Sequence, residues 1–344
     1  MRLKRFWLAV VAPVAAMALA APPSAAAPAA DHYEWAALGD SYTAGMFTGT
    51  RSDNPDGCER TPNSYPDLVD RELAEFPPGL PVQLSNASCG NAAIPHVASE
   101  SQTPIGWGPR VDDPAKPPAG WAPVPAQTER AKVGEETDVI TIGIGGNSLP
   151  LGEVLLRCLS LGAENPGGNP CQDHFENPPE GVENLDERLA RIQDEYITML
   201  VNVHGKAPAK VITVGYPSLL PDDASTCGYG DPTKTATIAP GDIPWLRKAE
   251  ERLNQTIKTV TDFFGDRYVD TYDSSQGHDV CQPDGEKWIE GFCGTVDPDS
   301  NWPAGLCAQL SPGQRQTFFH PNNEGHANTA QHVERAVRIA LLEL

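Results

Sequence analysis

A serine that follows a short apolar run is the first residue whose type and position could support chemistry. Residues 36–45 read AALGDSYTAG, and Ser41 stands where a strand would have to turn. A hydroxyl at such a turn can act as a nucleophile, with its own backbone N–H directed at the oxyanion of a tetrahedral intermediate. A serine that caps a helix has the same local pattern, and caps are far more common. Other residues must therefore decide between the two interpretations of Ser41.

A nucleophilic serine needs a base, and His320 is the leading candidate. It lies in the stretch FFHPNNEGH, where Pro321 restricts the preceding backbone to an extended shape. A buried structural histidine or a capping one would fit the same stretch. His278 is a competing base. His326 is another, but it falls in a predicted terminal helix, where packing or capping is the expected role.

Two further segments offer donors for an oxyanion. In NASCGNAAI the backbone N–H of Gly90 can approach a substrate closely, since glycine has no Cβ. In GIGGNSL the side-chain amide of Asn147 follows a buried apolar run. An ordinary turn would explain either residue. Together with the N–H of Ser41, they would surround a single oxyanion, and each such donor is worth roughly 10²–10³ in turnover.

Four short blocks occur in the same order as in the SGNH (GDSL-type) hydrolases: GDS at 39–41, Gly90, GGN at 145–147 and HP at 320–321. The segments VGYP at 214–217 and GHDVC at 277–281 further resemble the secreted actinobacterial lipase and esterase branch. The resemblance implies a three-layer α/β/α flavodoxin-like fold with a central parallel sheet. It also implies ester hydrolysis through an acyl-enzyme, with no cofactor and no metal. The residues that it assigns are Ser41 and His320 for catalysis and Ser41, Gly90 and Asn147 for the oxyanion hole.

The sequence departs from the family pattern at two positions. The family commonly has an aspartate three residues before the histidine, where this chain has Thr317, and Ser148 follows the GGN block in place of aspartate. Some members of the secreted branch that the sequence resembles orient the histidine with a backbone carbonyl instead, so we predict that the carbonyl oxygen of Thr317 orients His320. A neutral acceptor is enough to fix the tautomer, although it gives a weaker base than a carboxylate would. Asp279 is the competing orienting group.

The sequence contains eight cysteines, all of them after the N-terminal 30 residues. An even number in an exported chain indicates disulfides, whereas zinc is disfavoured because there is no paired CxxC and no HExxH. Spacing alone leaves about 105 pairings open. Resemblance to the secreted branch implies three local pairs and leaves a fourth: Cys58–Cys89, Cys158–Cys171, Cys227–Cys281 and Cys293–Cys307.

Apolar, β-rich runs alternate with helical patterns along the chain, which predicts an α/β fold with a parallel sheet. Ser41 and the GGN block each follow a strand, so we expect both at the carboxyl edge of the sheet, where such folds bind ligands. Ser64 is a predicted N-cap, with Asp67 in the first turn of its helix. The predicted strands are 35–38, 82–85, 138–144, 210–214 and 267–270, and the predicted helices are 64–76, 185–204, 243–264 and 325–344.

Charge and the N-terminus limit the classes of function and the location. The net charge is −21, and no basic run follows the N-terminus; both features disfavour binding to a nucleic acid. Residues 1–30 have the basic start, apolar middle and small residues of a secretory signal, with cleavage expected between Ala26 and Ala30. We therefore predict a secreted protein with a single SGNH hydrolase domain at 31–344.

The substrate is predicted less sharply than the chemistry. Two long irregular segments, 99–127 and 274–311, are rich in proline and glycine, and the first contains Trp107 and Trp121. Either this first segment is an ordered, partly apolar surface near the site, or it is a surface insert. Small-molecule or lipid esters are the expected partners, with transient contact to a lipid surface and no obligate protein partner. Lipase or esterase activity is the main prediction, phospholipase or carbohydrate acetylesterase activity is the alternative, and a non-catalytic binding protein on a hydrolase fold is the rival.

Overall fold

Five apolar segments pair in parallel to form the central sheet of the computed structural model, which describes residues 31–49, 56–104, 120–296, 302 and 304–344. The strands are β1 (Tyr33–Gly39), β2 (Val82–Asn86), β3 (Val139–Gly143), β4 (Lys210–Val214) and β5 (Arg267–Val269). Their order is β2-β1-β3-β4-β5, which is the flavodoxin-like order. Two short strands, β6 (Cys293–Gly294) and β7 (Arg315–Gln316), pair antiparallel outside this sheet.

Helices cover the sheet and carry the segments around it. The four longest are α5 (Leu151–Glu164), α7 (Leu185–His204), α8 (Ile243–Phe264) and α10 (Asn323–Leu342). The others are α1 (Ser41–Ala44), α2 (Tyr65–Glu75), α3 (Pro95–Ala98), α4 (Gln127–Arg130), α6 (Pro170–Glu176) and α9 (Cys307–Leu310).

Side chains that alternate along each strand build the two halves of the core. In β1, Trp35 and Ala37 pack with residues of α2 and α10, whereas Ala36 and Leu38 pack with residues of α7 and α8. Successive residues of a strand point to opposite faces, so a strand that is apolar throughout must be covered on both sides. The predicted α/β fold with helices on both faces of a parallel sheet is confirmed.

Local capping signals set several helix boundaries, and the cap predicted at Ser64 is one of them. Ser64 caps α2, and its hydroxyl accepts the N–H of Asp67. α7 begins after Asn184, which forms a capping box with Glu187. α10 begins at Asn323, two residues before the predicted start. Helix α5 was not predicted, although its leucines line a cavity beside Ser41.

All eight cysteines lie in the described part of the chain, and all are paired. The structure forms the four predicted disulfides, so this prediction is confirmed: Cys58–Cys89, Cys158–Cys171, Cys227–Cys281 and Cys293–Cys307. The second of these bonds joins α5 to α6. It therefore holds α6 against α5, the helix that precedes it in the chain.

Several predictions concern residues outside the ranges that the structure describes, or next to them. The predicted signal peptide and its cleavage region lie outside the described residues, as does Trp107. Trp121 is described, and its indole lies against Gly57, where an added Cβ would approach the ring to 2.5 Å. Asp31–Leu344 form one compact unit by their contacts. Among the described helices, none is long and apolar enough to cross a bilayer.

Candidate active site

Ser41 lies at a sharp turn between β1 and α1. The strand ends at Gly39, where a Cβ would lie 2.1 Å from the hydroxyl of Thr43, so the position requires glycine. The side chain of Gln127 accepts the N–H of Gly39 at 2.7 Å and donates to its carbonyl oxygen at 2.8 Å. These contacts fix the end of the strand, and the chain can turn at once to present the serine at the carboxyl edge of the sheet.

Hydrogen bonds at this turn decide between the two interpretations of Ser41. The residue that caps α1 is Asp40, whose carboxylate accepts the N–H of Tyr42 at 3.0 Å. The hydroxyl of Ser41 lies 2.8 Å from Nε2 of His320, which is 279 residues away in sequence. The capping interpretation is therefore wrong for this serine. The predicted nucleophile and base lie within hydrogen-bond distance of each other.

Two backbone carbonyl groups orient the imidazole of His320. Its Nδ1 lies 2.9 Å from the carbonyl oxygen of Thr317 and 3.0 Å from that of Phe318. A carbonyl can only accept, so Nδ1 carries the hydrogen, and Nε2 remains an acceptor for the hydroxyl of Ser41. The structure places the Thr317 carbonyl where the sequence predicts it and adds the carbonyl of Phe318, which the sequence did not indicate.

An uncommon backbone shape turns both carbonyls toward the ring. Phe318 and Phe319 have φ angles of 46° and 61°, in the left-handed region that non-glycine residues adopt at a cost of order 1–3 kcal/mol. The loop is anchored where the carbonyl oxygen of His320 accepts the N–H of Glu290 at 2.9 Å. Such a strained turn persists because its surroundings hold it in place, and it gives the histidine a fixed orientation.

The surroundings of His320 keep its ring neutral. Removal from water lowers the pKa of His320 to about 4, although the hydrogen bonds to the carbonyls of Phe318 and Thr317 act in the opposite direction. The rings of Tyr42 and Phe47 lie against the imidazole, with centroids 4.7 and 4.8 Å away. At pH 7 the imidazole is therefore unprotonated at Nε2 and can accept a proton.

Ser41 and Asn147 present donors to one cavity of about 320 Å³, which His320 also lines. Asn147 follows β3, as predicted, and its Nδ2 donates one hydrogen to the carbonyl oxygen of Ala92 at 2.9 Å. A carboxamide nitrogen carries a second hydrogen. The backbone N–H of Ser41 has no hydrogen-bond partner among the described residues. Two of the three predicted oxyanion donors are thus brought together.

The third predicted oxyanion donor, Gly90, is not brought to this cavity. The N–H of Gly90 donates to the carbonyl oxygen of Cys58 at 2.9 Å, and Gly90 does not line the cavity. The disulfide between Cys58 and Cys89 joins the same two segments. The structure therefore contradicts the role predicted for Gly90, because its single N–H hydrogen is already used. The next residue, Asn91, lines the cavity with a φ of 64° and makes no hydrogen bond within the described part of the chain.

The competing residues lie outside this arrangement. Nδ1 of His278 lies 2.6 Å from a backbone carbonyl oxygen, and its ring stacks on Trp288. The carboxylate of Asp279 accepts the N–H of Cys281 at 2.9 Å and does not reach His320. His326 is buried in α10, and neither of its ring nitrogens has a hydrogen-bond partner in the described structure.

One buried carboxyl group borders the serine. Burial raises the pKa of Asp40 to about 7, while hydrogen bonds from the hydroxyl of Tyr216 and the N–H of Tyr42 act to lower it. Tyr216 lies in the VGYP segment, and its hydroxyl donates to Oδ2 of Asp40 at 2.5 Å. The sequence singled out this segment as a resemblance but gave the tyrosine no role.

One wall of the cavity is apolar. The wall was missed because α5 was missed, although leucines at positions 151, 155 and 159 recur at helical spacing and could have revealed it. Leu156 is half exposed at this wall, and the rest of it is largely removed from water. The residues that form it are Leu151, Leu155, Leu156, Leu159, Phe292 and Phe318.

Among the described residues, no group of three or more histidine, cysteine, aspartate or glutamate side chains is placed to hold a metal ion.

Two curated relatives match the chain over almost its whole length. An esterase of Streptomyces scabiei is 29% identical over 350 residues, which cover 96% of this chain and 93% of the relative. Lipase 2 of Streptomyces coelicolor is 30% identical over 340 residues, with 96% of each chain covered.

Two solved structures share the fold. A phospholipase A1 from Streptomyces albidoflavus NA297 superposes with a TM-score of 0.53 at 18% identity, covering 89% of this chain and 99% of that chain. An extracellular lipase from Streptomyces rimosus also gives 0.53, at 19% identity, covering 90% of this chain and 99% of that chain.

The model of the GDSL-like lipase/acylhydrolase family matches residues 37–327, a span that runs from the first strand past the serine, the GGN turn and the histidine. The chain is therefore an ester-bond hydrolase and belongs to the GDSL-like lipase/acylhydrolase family.

Proposed function

We propose that the protein is a secreted serine carboxylic ester hydrolase with Ser41 as nucleophile and His320 as general base. One observation carries this proposal: Oγ of Ser41 lies 2.8 Å from an imidazole nitrogen that is free to accept a proton. The carbonyls of Thr317 and Phe318 hold the hydrogen of that imidazole on its other nitrogen.

The acyl-transfer steps follow from this geometry. Nε2 of His320 takes the hydroxyl proton as Oγ of Ser41 bonds to the ester carbonyl carbon. The tetrahedral intermediate collapses, the bond to the alcohol oxygen breaks, and His320 returns the proton to the departing alkoxide. A water molecule, deprotonated by the same nitrogen, then attacks the acyl carbon; the bond to Oγ of Ser41 breaks, and His320 returns the proton to Oγ, which releases the carboxylic acid and the free enzyme.

Three amide groups are proposed to bind the oxyanion. Two are the N–H of Ser41 and the second Nδ2 hydrogen of Asn147, as the sequence predicts. The third is the backbone N–H of Asn91 in place of that of Gly90. Asn91 is supported because it lines the cavity and has no competing hydrogen bond within the described residues, whereas the N–H of Gly90 is bound to Cys58.

The carbonyl groups perform only one of the two roles of a triad carboxylate. They fix the tautomer and orientation of His320, which is the main requirement for a base. They carry no full negative charge, so they stabilise the imidazolium less than a carboxylate does, in keeping with the low pKa of this histidine. We infer that the catalytic unit is a Ser41–His320 dyad with the Thr317 and Phe318 carbonyls as orienting groups.

The test is Ser41→Ala, assayed with a p-nitrophenyl ester. We expect loss of turnover and loss of covalent labelling by a fluorophosphonate, in a protein with an unchanged melting temperature. Ser218→Ala is the matched control, since Ser218 is also a buried serine but does not line the cavity. Retained turnover in Ser41→Ala would reject the nucleophile. A wild-type protein that does not label would favour the non-catalytic binding protein instead.

The apolar wall supports acyl chains longer than acetyl as the substrate class. Leucines on α5 and the ring of Phe292 present a largely apolar lining next to the serine, and an acetyl group would leave most of this lining unused. Each buried methylene contributes about 0.8 kcal/mol, or roughly a fourfold gain in kcat/KM when the transition state benefits in full. We therefore favour lipase or esterase activity on medium or longer chains over carbohydrate deacetylation.

A chain-length series tests this preference. We expect kcat/KM to rise from p-nitrophenyl acetate through butyrate to octanoate. Leu159→Trp should reduce octanoate turnover at least tenfold and spare acetate, whereas Leu161→Trp, on the same helix but outside the cavity, should change neither. A maximum at acetate would instead indicate a deacetylase. Release of fatty acid from phosphatidylcholine at a rate comparable to that from triacylglycerol would favour the phospholipase alternative.

Export is the remaining part of the proposal. The N-terminal 30 residues have the pattern of a secretory signal, and the disulfides are typical of an oxidising compartment. N-terminal sequencing of the protein recovered from a culture medium should find a start between Ala26 and Ala30. A cell-retained protein that still begins at Met1 would contradict export.

A further inference from the structure

The hydroxyl of Tyr216 lies between the two turns that carry the site. It accepts the backbone N–H of Gly146 at 2.7 Å, and it donates its own hydrogen to Oδ2 of Asp40 at 2.5 Å. Gly146 immediately precedes Asn147, and Asp40 immediately precedes Ser41. One oxygen atom thus joins the backbone before the oxyanion asparagine to the carboxylate before the serine.

Tyr216 is itself held on several sides. The side chain of Asn254, on α8, accepts the backbone N–H of Tyr216 at 2.8 Å and donates to its carbonyl oxygen at 3.0 Å. The ring of Tyr42 packs edge-on against it, with centroids 5.2 Å apart. Tyr216 is only 4% exposed. Because these contacts hold Tyr216 in place, its hydroxyl can in turn restrain the groups to which it is hydrogen-bonded.

Asp40 connects Tyr216 to the turn that carries Ser41. Its second carboxylate oxygen accepts the N–H of Tyr42 at 3.0 Å, which closes the first turn of α1 around Ser41. The titratable groups facing this carboxyl are the hydroxyls of Tyr42, Tyr65 and Tyr216. Tyr216 is the one that also contacts the GGN turn, through Gly146.

We propose that Tyr216 is a positioning residue that sets the spacing between the Ser41 hydroxyl and the Asn147 amide. An oxyanion donor acts over tenths of an ångström, and a misplacement of about 1 Å can cost on the order of 10²-fold in rate. Loss of the hydroxyl would remove the side-chain link between Gly146 and Asp40 and leave the two turns joined only further back, where the N–H of Asp40 donates to the carbonyl oxygen of Gly143 at 3.0 Å. The mechanism of ester hydrolysis does not otherwise use this tyrosine, and the inference rests on the proposed function of Ser41 and Asn147.

The test is Tyr216→Phe, with kcat expressed per active site titrated by a fluorophosphonate. We expect kcat to fall tenfold to a hundredfold with KM within twofold of wild type, because substrate still binds while the transition state is held less well. A purely structural role would reduce the number of titratable sites or the melting temperature but leave kcat per site unchanged. Tyr196→Phe is the control: Tyr196 is also a fully buried tyrosine, but it does not line the cavity.

A second variant acts on the same contact from the other side. A Cβ on Gly146 would lie 3.3 Å from the Tyr216 hydroxyl oxygen, so Gly146→Ala should shift this hydrogen bond without removing it. If the contact sets the geometry, Gly146→Ala also lowers kcat per site, and the double variant loses less than the product of the two single losses. A loss in the double variant equal to the product of the two single losses would overturn the proposal. An unchanged kcat per site in either folded variant would overturn it as well. Should Tyr216→Phe fail to fold, Gly146→Ala alone decides.

Failure of the proposed function gives a different pattern. If Ser41 were not the nucleophile, Ser41→Ala would retain turnover, whatever the two contact variants do. If only the positioning role were wrong, Ser41→Ala would be inactive and Tyr216→Phe would match the Tyr196→Phe control.

Discussion

The hydroxyl of Tyr42 donates a 2.7 Å hydrogen bond to the carbonyl oxygen of Phe319, 277 residues away in sequence. Tyr42 directly follows the serine, and Phe319 directly precedes the histidine. This contact therefore ties the two segments that carry Ser41 and His320, and it does so beside the 2.8 Å contact between their side chains.

Tyr42→Phe removes that tie while keeping the ring that packs on His320. We expect about a tenfold loss of kcat and a loss of about 1 kcal/mol in the free energy of unfolding, the usual net value of a single hydrogen bond. Tyr229→Phe is the control, because its hydroxyl also donates to a backbone carbonyl oxygen, at 3.0 Å, but outside the cavity. An equal loss of kcat in both variants would argue against a tie specific to the site.

Substitutions at Asn91 test whether its backbone N–H serves the oxyanion. Asn91→Gly keeps the N–H and tolerates a φ of 64°, so we expect activity within a few-fold of wild type. Asn91→Val opposes that backbone shape and should lower kcat by roughly 10²-fold. Lys132→Val, at an exposed residue with a φ of 55° outside the cavity, should lower stability and spare kcat. Full activity of Asn91→Val would remove Asn91 from the mechanism.

The pH dependence of kcat/KM should report the protonation of His320. A base must be unprotonated to act, so activity falls as the pH drops through its pKa. With the pKa of His320 near 4, the acidic limb should lie near pH 4 rather than near the usual value of about 6.5. Asp40, with a pKa near 7, would give a separate inflection, which Asp40→Asn should abolish while leaving the limb at pH 4. A limb near 6.5 in both proteins would contradict this assignment.

Buried His326 should make stability sensitive to acid. Burial lowers the pKa of His326 to about 3, so the folded form stays neutral while the unfolded chain takes up a proton below about 6.5. The stability contributed by the neutral form is complete above pH 6.5 and is lost as the pH falls toward 3. His326→Leu should reduce the slope of unfolding free energy against pH, between pH 4 and 6, by about 1.4 kcal/mol per unit.

The control for that slope is His332→Leu, an exposed position on the same helix, which should leave the slope unchanged. Urea unfolding at several pH values, without reductant, measures both variants. An unaltered slope in His326→Leu would mean that the folded protein protonates this histidine. Neither ring nitrogen has a hydrogen-bond partner in the described structure, so the leucine should also not destabilise the protein at pH 8.

The sequence by itself determined the five strands of the sheet and four of the helices, and it singled out Ser41 as the candidate nucleophile. The apolar periodicity predicted the exact bounds of α7 and the presence of all five strands of the sheet, since this signal is local. Strand order along the chain was enough to place Ser41 and Asn147 at the same edge. Resemblance to a family supplied His320, the Thr317 carbonyl and the disulfide pairs, which spacing alone left open.

The tertiary structure decided which neighbouring groups are free to act. Whether Gly90 or Asn91 offers an N–H depends on a hydrogen bond to Cys58, 32 residues earlier. The second carbonyl on His320 depends on two left-handed residues that no local propensity favours. Contacts of this kind are set by packing between distant segments to within tenths of an ångström, whereas composition and periodicity describe one segment at a time.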